Sequence, residues 1–315
     1  MKKYIGLDIG GTKCSAVIGT LDGEVIIEKK TTFATEGKTP DEILKLFCDF
    51  IDEQNEQIYG IGIACGGPLD SKSGTVKKPP SLPLWDGIKV VEYFEKKYDV
   101  PTYLRNDADA CAVAEWKYGA GVGCENMIFL TFGTGLGAGL ILNGKLYSGT
   151  CDGAGEIGHV RLAAFGPVGY NKQGSCEGFC SGGGIRRLAL IELEKYEKKG
   201  IEVEFVKKVG SKEEITAKTL AMGAMENDWF CKKVYAKSGK MFGKTLSILI
   251  DLFNPEKIVV GGVFMRSGHL LMPHAMKVLK KEALPASLEK CQILPAKLSE
   301  SIGDVSALAI AKGDL

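Results

Sequence analysis

Two short apolar runs open the chain, Tyr4 to Leu7 and Cys14 to Ile18, and Asp8, Ile9, Gly10, Gly11, Thr12 and Lys13 separate them. Runs of that length around a glycine pair predict a strand, a tight turn and a returning strand. The pattern recurs at Met127 to Leu142, MIFLTFGTGLGAGLIL, where Gly133-Thr134-Gly135 divides the runs. A third glycine pair, Gly261-Gly262, ends the apolar run Ile258 to Val260. Internal similarity of this kind suggests a duplicated fold with two related halves.

Between these landmarks the chain alternates strand and helix signals. Asp22-Gly23 marks a turn into a strand over Glu24 to Thr31. Thr39-Pro40-Asp41-Glu42 is a capping box with proline at the first helical position, and Ile43, Leu44, Phe47, Phe50 and Ile51 follow at helical spacing. A strand over Tyr59 to Ala64 ends in Gly66-Gly67-Pro68, and a long loop, Leu69 to Trp85, follows. Loops of that length inside a compact domain are usually functional. A helix over Lys89 to Tyr98, a strand over Thr102 to Leu104 and a helix over Asp109 to Tyr118 come next, then glycine-rich Gly119 to Gly123, read as a hinge. Ser148 to Gly184 is glycine-rich and irregular. Helices are expected over Ile185 to Lys198, Ala217 to Glu226, Asp228 to Phe253, Leu271 to Glu282 and Val305 to Lys312, and a strand over Gln292 to Leu298.

Composition sets limits on this picture. The 315 residues are 45% hydrophobic and 25% charged, enough for two domains at the usual size. The net charge of +1, with no like-charged block, gives no footprint for nucleic acid or an anionic membrane. No apolar stretch reaches the roughly 20 residues a spanning helix needs, and no signal peptide precedes the first strand. Ten cysteines without regular spacing read as reduced thiols of a cytoplasmic protein, with Cys14, Cys48, Cys65 and Cys111 as small buried hydrophobes.

Three sets of residues can carry chemistry. A carboxylate, Asp8, beside a ring of backbone N–H groups suits a phosphate accompanied by magnesium, although an ordinary hairpin with a polar tip fits the same residues. Asn106 and Asp107 stand where a strand gives way to a helix, a position that projects into clefts of open α/β sheets. A carboxylate there can accept a hydroxyl proton during phosphoryl transfer, or the pair can simply cap the helix. Glu156, His159 and Glu177 lie on one glycine-rich stretch and can bind a cluster of sugar hydroxyls, or serve structural or metal roles.

The turn sequence DIGGTK, with the later glycine turns, Asn106-Asp107-Ala108 and Glu156-Ile157-Gly158-His159, resembles the ROK family of bacterial sugar kinases and repressors over nearly the whole chain. The resemblance implies a two-domain α/β fold of the actin-like ATPase (ribonuclease H-like) type with duplicated halves and a cleft between them. The N-terminal domain is expected over 1–118, joined by a terminal helix over 302–315, and the larger C-terminal domain over 119–301. ATP phosphates are expected between Asp8, Gly10, Gly11, Thr12 and Lys13 on one side and Gly133, Thr134 and Gly135 on the other, with magnesium near Asp8 and adenosine near Gly261 and Gly262. Asp107 is implied as the catalytic base, with Gly67, Asn106, Glu156, His159 and Glu177 as sugar ligands. Closure of the domains on the sugar is expected to exclude water. The implied reaction is phosphorylation of a hexose, glucose first, with N-acetylmannosamine, N-acetylglucosamine or another hexose as alternatives. A homodimer is also expected.

The chain departs from the family pattern at several positions. Asp109 stands where asparagine is usual, free to raise the proton affinity of Asp107 or to face solvent, and Ser81 stands where glucokinases commonly have asparagine. The family's zinc stretch is matched by Val168, Tyr170 and Ser175 in place of cysteines, so zinc is not expected. Cys176 and Cys180 read as packing residues, and a cluster of Phe165, Tyr170 and Phe179 is expected to hold the loop instead. The chain starts two residues before its first strand and shows no basic recognition helix, which argues against a DNA-binding repressor. A catalytically silent sugar sensor is disfavoured because Asp8, Asn106, Asp107, Glu156, His159 and Glu177 are all present.

Overall fold

The computed structural model of the chain describes residues 1–313. They form two compact units, one of Met1–Phe129, Gly139–Ala154 and the segment from Lys297 onward, the other of Leu130–Ala138 and Gly155–Ala296. The first unit therefore runs on past the glycines at 119–123.

In the first unit β1 (Lys3–Ile9), β2 (Lys13–Thr20) and β3 (Ile26–Ala34) form an antiparallel meander that places Asp8 opposite Ser15. Helix α1 (Pro40–Asp52) opens on the capping box, with the Thr39 hydroxyl accepting from the Glu42 N–H and the Glu42 carboxylate accepting from the Thr39 N–H. After β4 (Ile58–Cys65), the stretch expected as a loop carries β5 (Leu69–Asp70) and β6 (Thr75–Lys77), which pair with β7 (Asp86–Lys89) in a small separate sheet. Then come α2 (Val90–Tyr98), β8 (Thr102–Asn106) and α3 (Asp107–Tyr118). The main sheet has the order β3-β2-β1-β4-β8, and β1, β4 and β8 are parallel. Both faces of these parallel strands are covered, which accounts for their nearly continuous apolar sequence. On one face Ile5, Leu7, Ile9, Ile61, Ile63 and Leu104 share a core with Phe47 of α1 and Phe94 of α2.

The remaining elements are β9 (Met127–Phe132), β10 (Leu136–Leu142), β11 (Lys145–Leu146), β12 (Val168–Gly169), β13 (Lys172–Gln173), α4 (Cys176–Phe179), α5 (Gly182–Glu197), α6 (Glu204–Val209), α7 (Ala217–Met225), α8 (Trp229–Phe253), β14 (Lys257–Val260), α9 (Val263–Glu282), α10 (Pro285–Lys290), β15 (Gln292–Pro295) and α11 (Ile302–Ile310). A second five-stranded sheet has the order β11-β10-β9-β14-β15. Asp228 caps α8 by accepting from the N–H groups of Phe230 and Cys231, and Asn254 ends it in the left-handed conformation before Pro255. Helix α9 starts eight residues earlier than its sequence suggests and contains Pro273. It runs directly against the backbone of α8: a Cβ on Gly239 or Gly243 would lie 2.5 or 2.6 Å from the carbonyl oxygens of Leu271 and Ala275.

Helix α11 ends at Ile310, short of the expected helix over 302–315, of which residues 314 and 315 lie outside the described residues. It covers the second face of the first unit's sheet. Gly6 makes room for it, since a Cβ there would lie 2.7 Å from the Leu308 nitrogen. Glu115 on α3, fully buried, ties down the approach to α11 by accepting from the Lys297 and Leu298 N–H groups at 3.2 and 2.8 Å. Among the described residues no helix is long and apolar enough to cross a membrane.

Candidate active site

Asp8, the turn from Gly10 to Lys13, Gly67, Asn106 and Asp107 all lie at the carboxyl edge of the first unit's parallel strands. Asp8 is level with Ala64 on β4 and Arg105 on β8, two strand spacings or roughly 10 Å across the sheet. The carbonyl oxygens of the turn are drawn back by Thr35, whose hydroxyl donates to Gly10 at 2.6 Å and whose N–H donates to Thr12 at 3.0 Å. With those acceptors engaged, the turn offers an anion its amide side. Thr35 was not among the residues the sequence pattern pointed to. A Cβ on Gly11 would lie 2.5 Å from Ser81 Cβ and 2.7 Å from the Ser81 carbonyl oxygen, so the loop with Ser81 rests on the turn itself. Buried Leu82 and Trp85 anchor that loop.

Asn106 does cap α3: its Oδ1 accepts from the Ala108 N–H at 2.9 Å, and Asp107 Oδ1 accepts from the same group at 2.7 Å. Capping does not exhaust either side chain. The Asn106 amide nitrogen faces Gly67, 3.2 Å from where a Cβ there would stand. Asp107 is reached by solvent yet ringed by protein, and loss of hydration raises its proton affinity, opposed by the backbone N–H groups of Ala108 and Asp107. Burial pushes Asp8 up to about 6, with help from the Asp107 and Asp304 carboxylates and against Lys13 and Lys30. Asp304 reaches this edge from α11, where it pairs with Lys30 at 2.6 Å; its helix reads as apolar, so nothing in the sequence singled it out. A cation would relieve this excess of carboxylate. Asp8 as a lone ligand suits magnesium, which keeps several waters and takes its other oxygens from phosphates. Among the described residues no three His, Cys, Asp or Glu side chains are grouped to hold a metal by themselves.

Asp109 neither faces solvent nor stands foremost among the influences on Asp107. It is 3% exposed and accepts from the Ser148 hydroxyl at 2.6 Å. Burial pushes it up to about 6, while the Ser148 bond and Arg105 oppose the rise. Arg105 also feels Asp152, which accepts from the Ser71 N–H at 2.8 Å and the Ser71 hydroxyl at 2.6 Å. Asp109 thus belongs to a polar net that fixes Ser148 and the start of the small sheet.

In the second unit the Gly133-Thr134-Gly135 turn is closed by the Gly133 N–H donating to the Gly135 carbonyl at 3.0 Å. The first N–H groups of α5 hold its carbonyls, Gly182 to Gly133 at 2.8 Å and Gly183 to Thr134 at 3.4 Å. Gly261 donates to the Leu130 carbonyl at 2.9 Å. Gly262 has φ +65, and a side chain there would collide with the Phe132 carbonyl. Glu156 and His159 are exposed at the ends of a short 3₁₀ turn, Ile157–His159, beside Glu177. Gly158 brings the two segments together, a Cβ there standing 3.4 Å from Glu177 Cβ. Glu177 Oε2 accepts from the Leu136 N–H at 3.3 Å, so this carboxylate also braces the glycine turn.

The residues at the zinc positions are otherwise engaged. Val168 lies in β12, and Tyr170 and Asn171, both with positive φ, form a two-residue hairpin turn to β13. Ser175 caps α4, accepting from the Gly178 N–H and donating to the Gly169 carbonyl, both at 3.2 Å. Cys176 lies 2.8 Å from the Thr245 hydroxyl and Cys180 donates to the Ser238 carbonyl, so both thiols are turned into α8. The expected cluster of Phe165, Tyr170 and Phe179 does not form. Phe165 is 82% and Tyr170 65% exposed, because the hairpin turn aims outward, and only Phe179 is buried, beneath Gly166. Tyr170 instead meets the His159 ring edge-on at 6.0 Å.

A family model described as ROK family matches residues 4–314. The chain is 29% identical over 315 residues to a glucokinase of Thermotoga maritima, covering 98% of this chain and 97% of that protein. It is 27% identical over 319 residues to a xylose repressor of Caldicellulosiruptor bescii, covering 99% of this chain and 78% of the repressor. A ROK family glucokinase from Streptomyces griseus, solved in complex with glucose and AMPPNP, is similar at a TM-score of 0.77 and 28% identity, covering 99% of each chain.

Proposed function

The chain belongs to the ROK family and has the two-domain actin-like ATPase fold of its kinases, and from that premise we infer that this sugar kinase transfers the terminal phosphoryl group of ATP to the 6-hydroxyl of a hexose, glucose first. The observation that carries the reading is the placement of Asp107. Its carboxyl is open to solvent, raised in proton affinity and oriented by the Ala108 N–H, at the strand edge that also bears Asp8 and the glycine turn. Likeness to two glucokinases supports the choice of sugar.

In this reading Asp107 accepts the proton from the attacking hydroxyl as the sugar oxygen–phosphorus bond forms and the bond from that phosphorus to the bridging oxygen breaks, releasing ADP. A positioned general base contributes about 10²- to 10⁴-fold. Asn106, Gly67, Glu156, His159 and Glu177 fix the sugar's orientation. The amides of Gly10 to Lys13, and on the turn from Gly133 to Gly135 those of Thr134 and Gly135, receive the phosphates, and Gly261 and Gly262 receive the adenosine. Magnesium at Asp8 supplies charge neutralisation on the phosphates when bound. The protein works in the cytoplasm as a homodimer, without a nucleic-acid partner.

A coupled ADP-release assay across glucose, mannose, fructose, N-acetylmannosamine and N-acetylglucosamine tests the substrate. Glucose should give the highest kcat/KM. A preference for either N-acetylated sugar would move the substrate while leaving the reaction class. The likeness to the xylose repressor favours a second reading, a sugar sensor without turnover. Calorimetric sugar binding with no ADP release from any sugar would establish that reading instead.

A further inference from the structure

Arg187 stands apart from the other charged side chains of the second unit. Its Nε is buried and has no hydrogen-bond partner, and among the described residues no carboxylate pairs with it. The adjacent Arg186, by contrast, donates its Nε to the Ile215 carbonyl at 2.9 Å. A buried guanidinium nitrogen without a partner costs free energy, and native proteins keep such groups where something else satisfies them. The position of the group says what that is. Long helical side chains fold back over the preceding turn, so Arg187 reaches toward the start of α5. A Cβ on Gly183 would lie 3.2 Å from Arg187 Nη1, 3.5 Å from Nη2 and 3.2 Å from the Thr134 carbonyl oxygen. The guanidinium and the middle of the Gly133–Gly135 turn therefore flank one notch, which glycine keeps open. The next residue back, Gly182, adjoins both Gly133 and Val263, at the junction with Gly261-Gly262.

The helix start itself has no amides to spare here. The N–H groups of Gly182 and Gly183 are taken by the turn and that of Gly184 by the Ser181 hydroxyl at 2.8 Å. Positive charge at this spot comes from Arg187 alone among these elements. A planar fork of donors matches phosphate oxygens in pairs and adds a full positive charge, which the backbone amides of a turn do not carry. We propose that Arg187 is a binding residue for the phosphate chain of the nucleotide, held over Gly183 beside the Gly133–Gly135 turn. The inference rests on the reading of that turn as the nucleotide's phosphate site.

Calorimetric titration of the whole protein with ADP and, separately, with adenosine tests it, using wild type, Arg187→Met and Arg187→Lys. Methionine keeps the apolar stem and removes the fork, and lysine keeps the charge. Arg187→Met should weaken ADP by about 10- to 100-fold, the range for a charge-assisted bidentate contact. Adenosine affinity and the KM for the hexose should stay within twofold, and Arg187→Lys should recover part of the ADP loss. Unfolding midpoints without nucleotide should match wild type, which separates a binding role from a structural one. Equal weakening of ADP and adenosine would put Arg187 on the base instead, and no weakening of either would leave it a solvated arginine only; either result overturns the proposal. If wild type itself bound no ADP, the kinase reading would fail and take this inference with it.

Discussion

Asp8 is destabilised in its ionised form, and that has a measurable consequence for the folded chain. Its carboxyl rises from 3.8 to about 6 on folding because burial strips its hydration and Asp107 and Asp304 add negative charge. A group with a raised folded value contributes its full share of stability below the unfolded value and loses it as pH rises through the folded one, here between 3.8 and about 6. At about 1.4 kcal/mol per pH unit, ionised Asp8 costs the protein ~3 kcal/mol at pH 8 and ~1 kcal/mol at pH 4.5. Asp8→Asn removes the charge and keeps the shape. In the absence of magnesium and nucleotide the variant should therefore be more stable than wild type, by up to that amount at pH 8 and by much less at pH 4.5. Urea midpoints at the two pH values measure this directly. The same variant should lose most magnesium–ATP turnover, the familiar exchange of stability for function at a charged site, while calorimetric sugar binding without nucleotide survives. A variant equally or less stable than wild type at pH 8, or a gain of the same size at both pH values, would mean that the ionised Asp8 carboxylate does not carry this cost.

Asp107→Asn should leave the fold and glucose affinity within a few fold of wild type and lower kcat by about 10² to 10⁴, as loss of a general base does; near-normal turnover would remove Asp107 from that role. Gly11→Ala forces a methyl to 2.5 Å from Ser81 Cβ and 2.7 Å from the Ser81 carbonyl oxygen, and should cost about 1–3 kcal/mol in urea unfolding and raise the KM for ATP. An unchanged midpoint would mean that the Ser81 loop does not rest on the turn. Elemental analysis should find well under one zinc per chain, and a chelator should leave activity with added magnesium unchanged, since Cys176 and Cys180 are turned into α8 and Ser175 serves as a cap. One tightly held zinc per chain would contradict that.

Much of the framework was legible because it depends on local chemistry. Glycine pairs at the ends of apolar runs, the Thr39 box and the Asn254-Pro255 stop each act within a few residues, and each appears where the pattern put it. The start of α9 did not, because Gly262 leads straight into it without a side-chain cap and Pro273 imitates a break. Residues that act across the fold were also hidden. Thr35 serves Gly10 from 25 positions away, Asp304 reaches Ser15 and the edge near Asp8 from the far end of the chain, and Arg187 differs from Arg186 only in what surrounds it. Aromatic content suggested a cluster under the glycine-rich loop. Orientation decided otherwise, since the positive-φ turn at Tyr170 and Asn171 carries that ring to the surface. The role of Asp109 was open for a similar reason: Ser148 and Arg105, which define its surroundings, are met only in the folded unit.

The proposed transfer of a phosphoryl group from ATP to the 6-hydroxyl of glucose, with Asp107 as the base, leaves its mark on the product. Phosphorus NMR of the product formed from ATP and glucose tests it most directly. A phosphomonoester signal split by the two protons of a CH₂ carbon should appear in step with ADP for wild type and more slowly with Asp107→Asn. ADP accompanied only by inorganic phosphate, or an ester split by a single ring proton, would contradict it.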